Sequence, residues 1–154
     1  MEDYLEWLLG KLIADGARNF VFITGHAGNV DTVSYLIKKN LDKGIRAFQI
    51  DWWRFTQQHC EGILDNQGAM AHGHASECGT SVMMYLYPEL VDHSEITCVR
   101  AAPNRYPDIL TYSKFTDKTY NGSIGDSTAA TPEKGKAIVD RCLDRILQYM
   151  RENF

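Results

Sequence analysis

The stretch Asn19–Asn29, NFVFITGHAGN, decides how this chain folds. Residues 20–23 form an uninterrupted apolar run, which is typical of a strand buried in a parallel sheet. The following segment, Gly25–Asn29, contains two glycines, which let the backbone turn sharply. The sequence therefore predicts a buried strand that turns at the sheet edge and presents His26 there.

Helical spacing of apolar residues lies on both sides of this strand. Residues 3–15 and 30–41 repeat apolar side chains every three or four positions, and a second apolar strand follows at residues 46–50. Alternation of helix and strand is typical of a parallel sheet with crossover helices. We therefore predict an α/β fold of three layers, α/β/α, with a mostly parallel sheet.

The second half of the chain has weaker signals. Residues 56–75 are predicted as a loop with at most one short helix, residues 80–86 as a short helix, and residues 95–100 as a strand. Residues 103–130 are rich in turn formers and are predicted to be mostly loop. The final helix is predicted to start at Thr131-Pro132, with Thr131 as its N-cap.

Composition narrows the class of protein. The 154 residues are 44% hydrophobic and 23% charged, which predicts one globular domain over residues 1–154. The net charge of −4 is scattered, so neither a nucleic-acid partner nor a membrane surface is expected. Four dispersed cysteines, with no C-x-x-C and no basic leader, predict reduced thiols in a cytoplasmic protein.

Two histidine-bearing segments are candidates for chemistry. His26 is either a metal ligand at the strand end or a hydrogen-bonded turn residue. His72, His74 and Glu77 lie within six residues, a spacing suited to a metal or to a proton-transfer pair. Glu77 also precedes an apolar helical run, where a carboxylate complements the helix dipole. A Cys78 nucleophile is disfavoured, because the adjacent carboxylate would raise its pKa.

Asp51-Trp52-Trp53 ends the second predicted strand, at the same sheet edge as His26. The two tryptophans either form one wall of a pocket for a flat small molecule or pack against the core and a helix.

Three motifs resemble those of the creatininase family. The Thr24–Asn29 turn is similar to the family's N-G-H-G-G-N, and His74–Ser81 is similar to H-A-G-E-x-E-T-S. Gly122–Gly135 resembles the family's G-x-x-G-D-P-x-x-A-T-x-E-K-G. Their order is the family's order, and they span most of the chain.

The resemblance implies a creatininase-like fold and a binuclear metal hydrolase that opens cyclic amides or cleaves formamides, with zinc or manganese as cofactor. It implies that His26 binds metal and that His74 carries a proton during catalysis. Glu77 would supply a carboxylate to the metal or to the reaction. The residues implied to contact the small-molecule substrate are Trp52, Trp53 and Asn29.

The chain departs from the family pattern in three places. Gly28 stands where creatininase has a metal-binding glutamate, and Gly79 replaces a second family glutamate. The family's E-x-G-P-H segment, which supplies further ligands and precedes the first strands, has no counterpart. We therefore expect an incomplete domain, which either hydrolyses amides together with a complementing N-terminal portion or acts as a non-catalytic, self-assembling subunit. An unrelated metal-binding or thiol protein is a third possibility.

Overall fold

The computed structural model describes residues 1–100, 103, 105–106, 108–109 and 111–154. It divides into two compact units. The first comprises Met1–Phe55 with Met150–Phe154, and the second comprises Thr56–Tyr149.

The first unit contains a parallel strand pair with helices before and between the strands. Its elements are α1 (Glu2–Ala14), β1 (Asn19–Thr24), α2 (Val30–Asn40) and β2 (Arg46–Asp51). β1 and β2 pair in parallel, with Asn19 opposite Arg46 and Thr24 opposite Asp51. This order confirms the predicted α/β class and places the ends of both strands side by side.

Polar side chains fasten α2 to β2. Gln49 on β2 accepts a hydrogen bond from the Ser34 hydroxyl at 2.8 Å and donates one to the Val30 carbonyl at 3.1 Å. The 3₁₀ turn that follows α2, Leu41–Lys43, is capped by Gly44, which has a left-handed φ of 71°. The end of the chain also packs on β2, where the Phe154 ring meets the Phe48 ring edge-on at 5.2 Å.

Helices dominate the second unit. α3 (Trp52–His59) leads into it, followed by α4 (Gly68–His72), α5 (Glu77–Leu86), the strands β3 (Cys98–Val99) and β4 (Gly125–Asp126), and α6 (Pro132–Asn153). β3 and β4 are antiparallel. Six 3₁₀ turns occur in the described chain: Ala27–Asn29, Leu41–Lys43, Pro88–Leu90, His93–Glu95, Phe115–Asp117 and Ser127–Ala129.

The structure corrects several predicted boundaries. Trp52 and Trp53 begin α3 rather than ending the second strand, and α4 adds a further helix to the segment that was predicted as mostly loop. The strand expected over residues 95–100 is only Cys98–Val99. Its partner, β4, is also two residues long, so the backbone pairing ends there. The loop predicted over residues 103–130 lies partly outside the described residues.

α6 begins as predicted and packs closely on α5. The Thr131 hydroxyl accepts a hydrogen bond from the Lys134 amide at 3.2 Å, which is the N-cap interaction. Gly135 follows in the first turn, where an added Cβ would lie 1.9 Å from the Ser81 carbonyl oxygen. Only glycine therefore permits this approach of the two helices.

No helix in the described part of the chain combines the length and the apolar character that a membrane span requires.

Gly135→Ala should lower the free energy of unfolding by about 3 kcal/mol, because the new methyl group overlaps the α5 backbone. Gly79→Ala is the matched control, since Gly79 lies inside α5 with no atom near its would-be Cβ. That control should raise stability by up to about 1 kcal/mol. Urea denaturation measures both, and equal effects of the two substitutions would contradict the close α5–α6 contact.

Candidate active-site residues and family assignment

A backbone bridge holds His74 in place between α4 and α5. Its carbonyl accepts a hydrogen bond from the Ile124 amide at 2.7 Å, and the two residues form an isolated antiparallel bridge. Gly73 makes this approach possible, because a Cβ there would lie 2.0 Å from the Ile124 carbonyl oxygen. Ala75 follows with a φ of 50°, a left-handed conformation that is uncommon for a residue with a side chain. The chain is thus bent sharply on both sides of His74.

The contacts of the His74 ring set its tautomer. Nδ1 lies 2.6 Å from the Gly122 carbonyl oxygen, and a carbonyl can only accept, so Nδ1 carries the proton. In the neutral ring Nε2 therefore keeps its lone pair. The Phe115 ring lies edge-on at 4.8 Å and restricts rotation of the imidazole, while His74 itself is exposed. This is the arrangement that a general base requires.

His26 has the opposite tautomer. Its Nδ1 accepts a hydrogen bond from the Gly28 amide at 3.0 Å, so in the neutral ring the proton sits on Nε2. An imidazole nitrogen needs its lone pair to bind a metal. Metal binding through Nε2 would therefore require the ring to leave the Gly28 amide, and the ligand role of His26 stays a prediction.

Four hydrogen bonds surround the carboxylate of Glu77, which is fully buried at 0% exposure in the first turn of α5. Oε1 accepts from the Asp65 amide at 2.9 Å and from the Lys134 ammonium at 2.6 Å. Oε2 accepts from the amide and the side chain of Asn66, both at 2.9 Å. These contacts support the structural alternative for Glu77, and its metal and catalytic roles stay predictions.

The charge on Glu77 is stabilised in the folded protein. Burial alone would raise the pKa of Glu77, but the hydrogen bonds from Lys134, Asp65 and Asn66 together outweigh it and hold that pKa below its ordinary value. Burial likewise opposes the charge of Lys134, yet the carboxylates of Asp65 and Glu77 raise the pKa of Lys134. Both groups are therefore ionised at neutral pH.

Residues of the Gly122–Gly135 motif bind the side chains of both Glu77 and His74. Lys134, within the motif, also donates to Asp65 at 2.7 Å and to the Ala129 carbonyl at 2.6 Å. Gly122 accepts the bond from His74. Sequence reasoning did not select Lys134 as the partner of Glu77, although its position inside a family motif could have identified it.

Asp51 is a second residue that sequence reasoning did not select. It ends β2 directly beside Thr24, its side chain is 11% exposed, and neither carboxylate oxygen has a hydrogen-bond partner. The Arg54 Nε atom lies 3.6 Å away, beyond good hydrogen-bond distance. A buried carboxylate with unused acceptors is a candidate ligand for a cation.

The remaining predicted residues, Trp52, Trp53 and Asn29, follow the ends of the two parallel strands along the chain. Trp53 is 40% exposed, Trp52 is half-buried, and Asn29 is half-buried in the turn after His26. The greater exposure of Trp53 favours it over Trp52 as the substrate-facing tryptophan. Substrate contact stays a prediction for all three residues.

A cavity of about 480 Å³ opens in the second unit, between the end of α3 and α4. Cys60, Asn66 and His72 are among its lining residues. His72 is the one candidate histidine among the described lining residues, and His26, His74, Glu77, Trp52, Trp53 and Asn29 are not among them.

The chain is thus an α/β protein whose candidate histidines and carboxylates lie at strand ends, in turns and at the start of α5. A family model described as "Creatininase: Creatinine amidohydrolase" matches residues 1–150. The chain therefore belongs to the creatininase family.

Curated relatives agree with this assignment. The chain is 28% identical over 162 aligned positions to creatinine amidohydrolase of Pseudomonas putida, covering 96% of this chain and 60% of the relative. It is 27% identical over 146 positions to a mycofactocin precursor peptide peptidase of Mycobacterium ulcerans, covering 91% of this chain and 52% of the relative. The chain thus spans between half and two thirds of the length of these relatives.

Solved structures give the same fold. A structure named creatininase Mn matches with a TM-score of 0.74 and 25% identity, over 99% of this chain and 63% of that one. A glutamate-to-glutamine mutant creatininase of the Zn-Zn type gives the same TM-score, identity and coverage. The predicted creatininase-like fold is therefore confirmed, and these neighbours support a divalent metal in the family.

The described residues do not by themselves fit a metal centre. Among them, no three histidine, cysteine, aspartate or glutamate side chains are grouped so that they could hold an ion. Asp51 has unused acceptors, but the lone pair of His26 is engaged and the oxygens of Glu77 are occupied. Further ligands from outside the described residues would be needed to hold a catalytic ion.

Lys134→Met should lower the free energy of unfolding by about 3 kcal/mol at neutral pH, because it leaves the buried Glu77 charge without a cation. The folded pKa of Glu77 is depressed, so the pair's stabilisation is present above the ordinary value of 4.5 and is lost as pH falls through the folded pKa. Urea denaturation across this range should show the variant approaching the parent protein in acid.

Lys136→Met is the matched control, since its ion pair with Asp140 on the same helix is exposed. It should change stability far less than Lys134→Met. Equal losses in the two variants, or a Lys134→Met loss that is independent of pH, would contradict the structural role of the buried pair.

Proposed function

We propose that this chain supplies the proton-transfer half of a creatininase-type amidohydrolase, in which His74 moves the proton during hydrolysis of a C–N bond. The observation that supports this most directly is the hydrogen bond from His74 Nδ1 to Gly122, which leaves Nε2 as a free base on an exposed ring. The two curated relatives are named for a creatinine substrate and a peptide substrate, and both substrates contain C–N bonds of the amide type.

The chemistry of His74 follows from its fixed ring. Nε2 accepts a proton from a water molecule as the water oxygen attacks the carbonyl carbon, and the resulting imidazolium donates that proton to the leaving nitrogen as the C–N bond breaks. The Gly122 carbonyl stabilises the imidazolium because it already accepts from Nδ1. The Phe115 ring keeps the imidazole at one orientation for both transfers.

The metal ligands that the first unit does not supply are proposed to come from a complementing N-terminal portion. A zinc or manganese ion would then be held by ligands of that portion together with Asp51 and a reoriented His26. Asp51 supports this arrangement through its two unpartnered oxygens. Trp53, at the start of α3, and Asn29, in the turn after β1, belong to the same unit and are proposed to contact a small cyclic amide or formamide.

Complementation tests the proposal. The chain is co-expressed with the part of the Pseudomonas putida creatinine amidohydrolase that it does not match, and the complex is assayed with creatinine and with a short peptide. We expect bound metal and hydrolysis in the complex. His74→Gln should lower kcat by about 100-fold or more while metal content stays the same, because glutamine cannot carry the proton.

His93→Gln is the matched control, since His93 is exposed on a 3₁₀ turn of the same unit. It should leave kcat unchanged. An active complex that is insensitive to His74→Gln would refute the role of His74. A metal-loaded complex that hydrolyses neither substrate would refute the hydrolase proposal.

A second candidate, a non-catalytic subunit that acts in assembly, is favoured by the surface of α1. Tyr4 and Trp7 stack at 6.2 Å and are 62% and 58% exposed, and Leu12 on the same helix is 41% exposed. Apolar clusters of this kind mark interaction surfaces. Sedimentation of the purified chain tests the idea: Trp7→Lys should shift an oligomer to monomer, and a parent protein that is already monomeric would exclude self-assembly.

A further inference from the structure

Three cysteines from separate parts of the second unit meet in its interior. Cys60 follows α3, Cys78 lies on α5 and Cys142 lies on α6, and their exposures are 4%, 5% and 0%. The fourth cysteine, Cys98, is exposed on β3. The proposed hydrolysis uses none of these thiols.

Cys60 is the centre of this thiol cluster. Its sulfur is hydrogen-bonded to Cys142 and to Cys78, so each of the other two thiols is in direct contact with it. Its hydrogen bonds to Cys142 and Cys78, together with burial, raise the pKa of Cys60. The same hydrogen bonds lower the pKa of Cys142, and that of Cys78 to about 5, because they stabilise those thiolates. Two thiols at hydrogen-bond distance need only small side-chain movements to reach bonding distance.

The Arg141 side chain on α6 binds the backbone on both sides of Cys60. Arg141 donates through one guanidinium nitrogen to the His59 carbonyl at 3.1 Å and to the Glu61 carbonyl at 2.8 Å. These carbonyls flank Cys60 and the arginine precedes Cys142, so this clamp ties the turn that carries Cys60 to the helix that carries Cys142.

Small reagents have a route to Cys60. It lines the cavity of about 480 Å³ together with His72 and Asn66, whereas neither Cys78 nor Cys142 is among the lining residues. A solute the size of hydrogen peroxide can therefore reach Cys60 from the cavity before it reaches Cys78 or Cys142.

We propose that Cys60 and Cys142 form a reversible disulfide when the protein meets hydrogen peroxide, which makes this thiol cluster a redox-modification site. The Cys142 thiolate takes the proton of Cys60 along their hydrogen bond, and the Cys60 sulfur attacks one peroxide oxygen. The O–O bond breaks, the released hydroxide takes that proton from Cys142 to become water, and Cys60 becomes a sulfenic acid. The Cys142 thiolate then attacks the Cys60 sulfur, the S–O bond breaks, and the leaving hydroxide takes a proton from solvent to become a second water. The net change is the oxidation of one thiol and one thiolate to one disulfide and the reduction of one peroxide to two waters, with one proton taken from solvent.

The link would join the end of α3 to α6 in addition to the Arg141 clamp. It would therefore restrict separation of these two elements, and the oxidised protein should unfold at a higher temperature than the reduced protein.

Peptide mapping of the purified chain tests the proposal. The reduced protein is treated with hydrogen peroxide, free thiols are blocked with N-ethylmaleimide, and a digest is analysed by mass spectrometry. We expect a Cys60–Cys142 cross-linked peptide that dithiothreitol removes, with Cys78 and Cys98 still alkylated. This measurement on the unaltered chain needs no substitution inside the core.

Variants separate the cluster from the surface thiol. Cys142→Ala should abolish the cross-link, and Cys98→Ser, the matched control on an exposed thiol, should leave it unchanged. A dominant Cys60–Cys78 link, oxidation confined to Cys98, or a metal ion that co-purifies at one per chain and blocks alkylation of Cys60 would each overturn the proposal. None of these readouts depends on amide hydrolysis.

Discussion

The carboxylate of Glu77 has no contact with solvent, and the ammonium group of Lys134 accompanies it into the interior at 2.6 Å. A buried charge is tolerated only when it is paired and hydrogen-bonded, so the surroundings of Glu77 are tightly constrained. The amides of Asp65 and Asn66 must face it, which fixes the loop before α4. Lys134 must reach it from α6, which fixes that helix against α5. Much of the second unit is therefore built around one ion pair.

The proposed catalytic residue depends on the same framework. His74 lies three residues before Glu77, and its ring is held by Gly122, in the loop that leads through β4 to α6. Asn66 reaches both Glu77 and, at 3.4 Å, Asp126 at the end of β4. A shift of α6 would therefore move the loop that carries Gly122 and release Nδ1 of His74. Glu77 thus helps to keep the hydrogen-bond partner of His74 in place without contacting His74 itself.

The sequence predicted those features that local patterns determine. The apolar run at residues 20–23 gave the parallel strand, and Thr131-Pro132 gave the start of the last helix, because strand burial and helix capping are encoded by neighbouring residues. The Glu77–Lys134 pair could not be predicted in this way, since 57 residues separate its partners. Trp52 and Trp53 were placed at a strand end because aromatic residues favour strands, but tertiary context starts a helix there. The tautomers of His26 and His74 depend on single backbone contacts that no sequence pattern contains.

The tautomers of His74 and His26 show how far the fold fixes each imidazole ring. The partner of His74 is a carbonyl from a distant loop, so the fold itself selects the form with a free Nε2. The partner of His26 is the amide two residues along its own turn, which any short turn can supply. The contact is close, since a Cβ at Gly28 would lie 3.0 Å from Nδ1 of His26. The ring of His74 is therefore prearranged within the second unit, whereas within the first unit His26 contacts its own turn and Asp51 has no hydrogen-bond partner. A cation would give Asp51 the partner that it lacks, whereas binding of the cation through Nε2 of His26 would require the ring to leave the Gly28 amide.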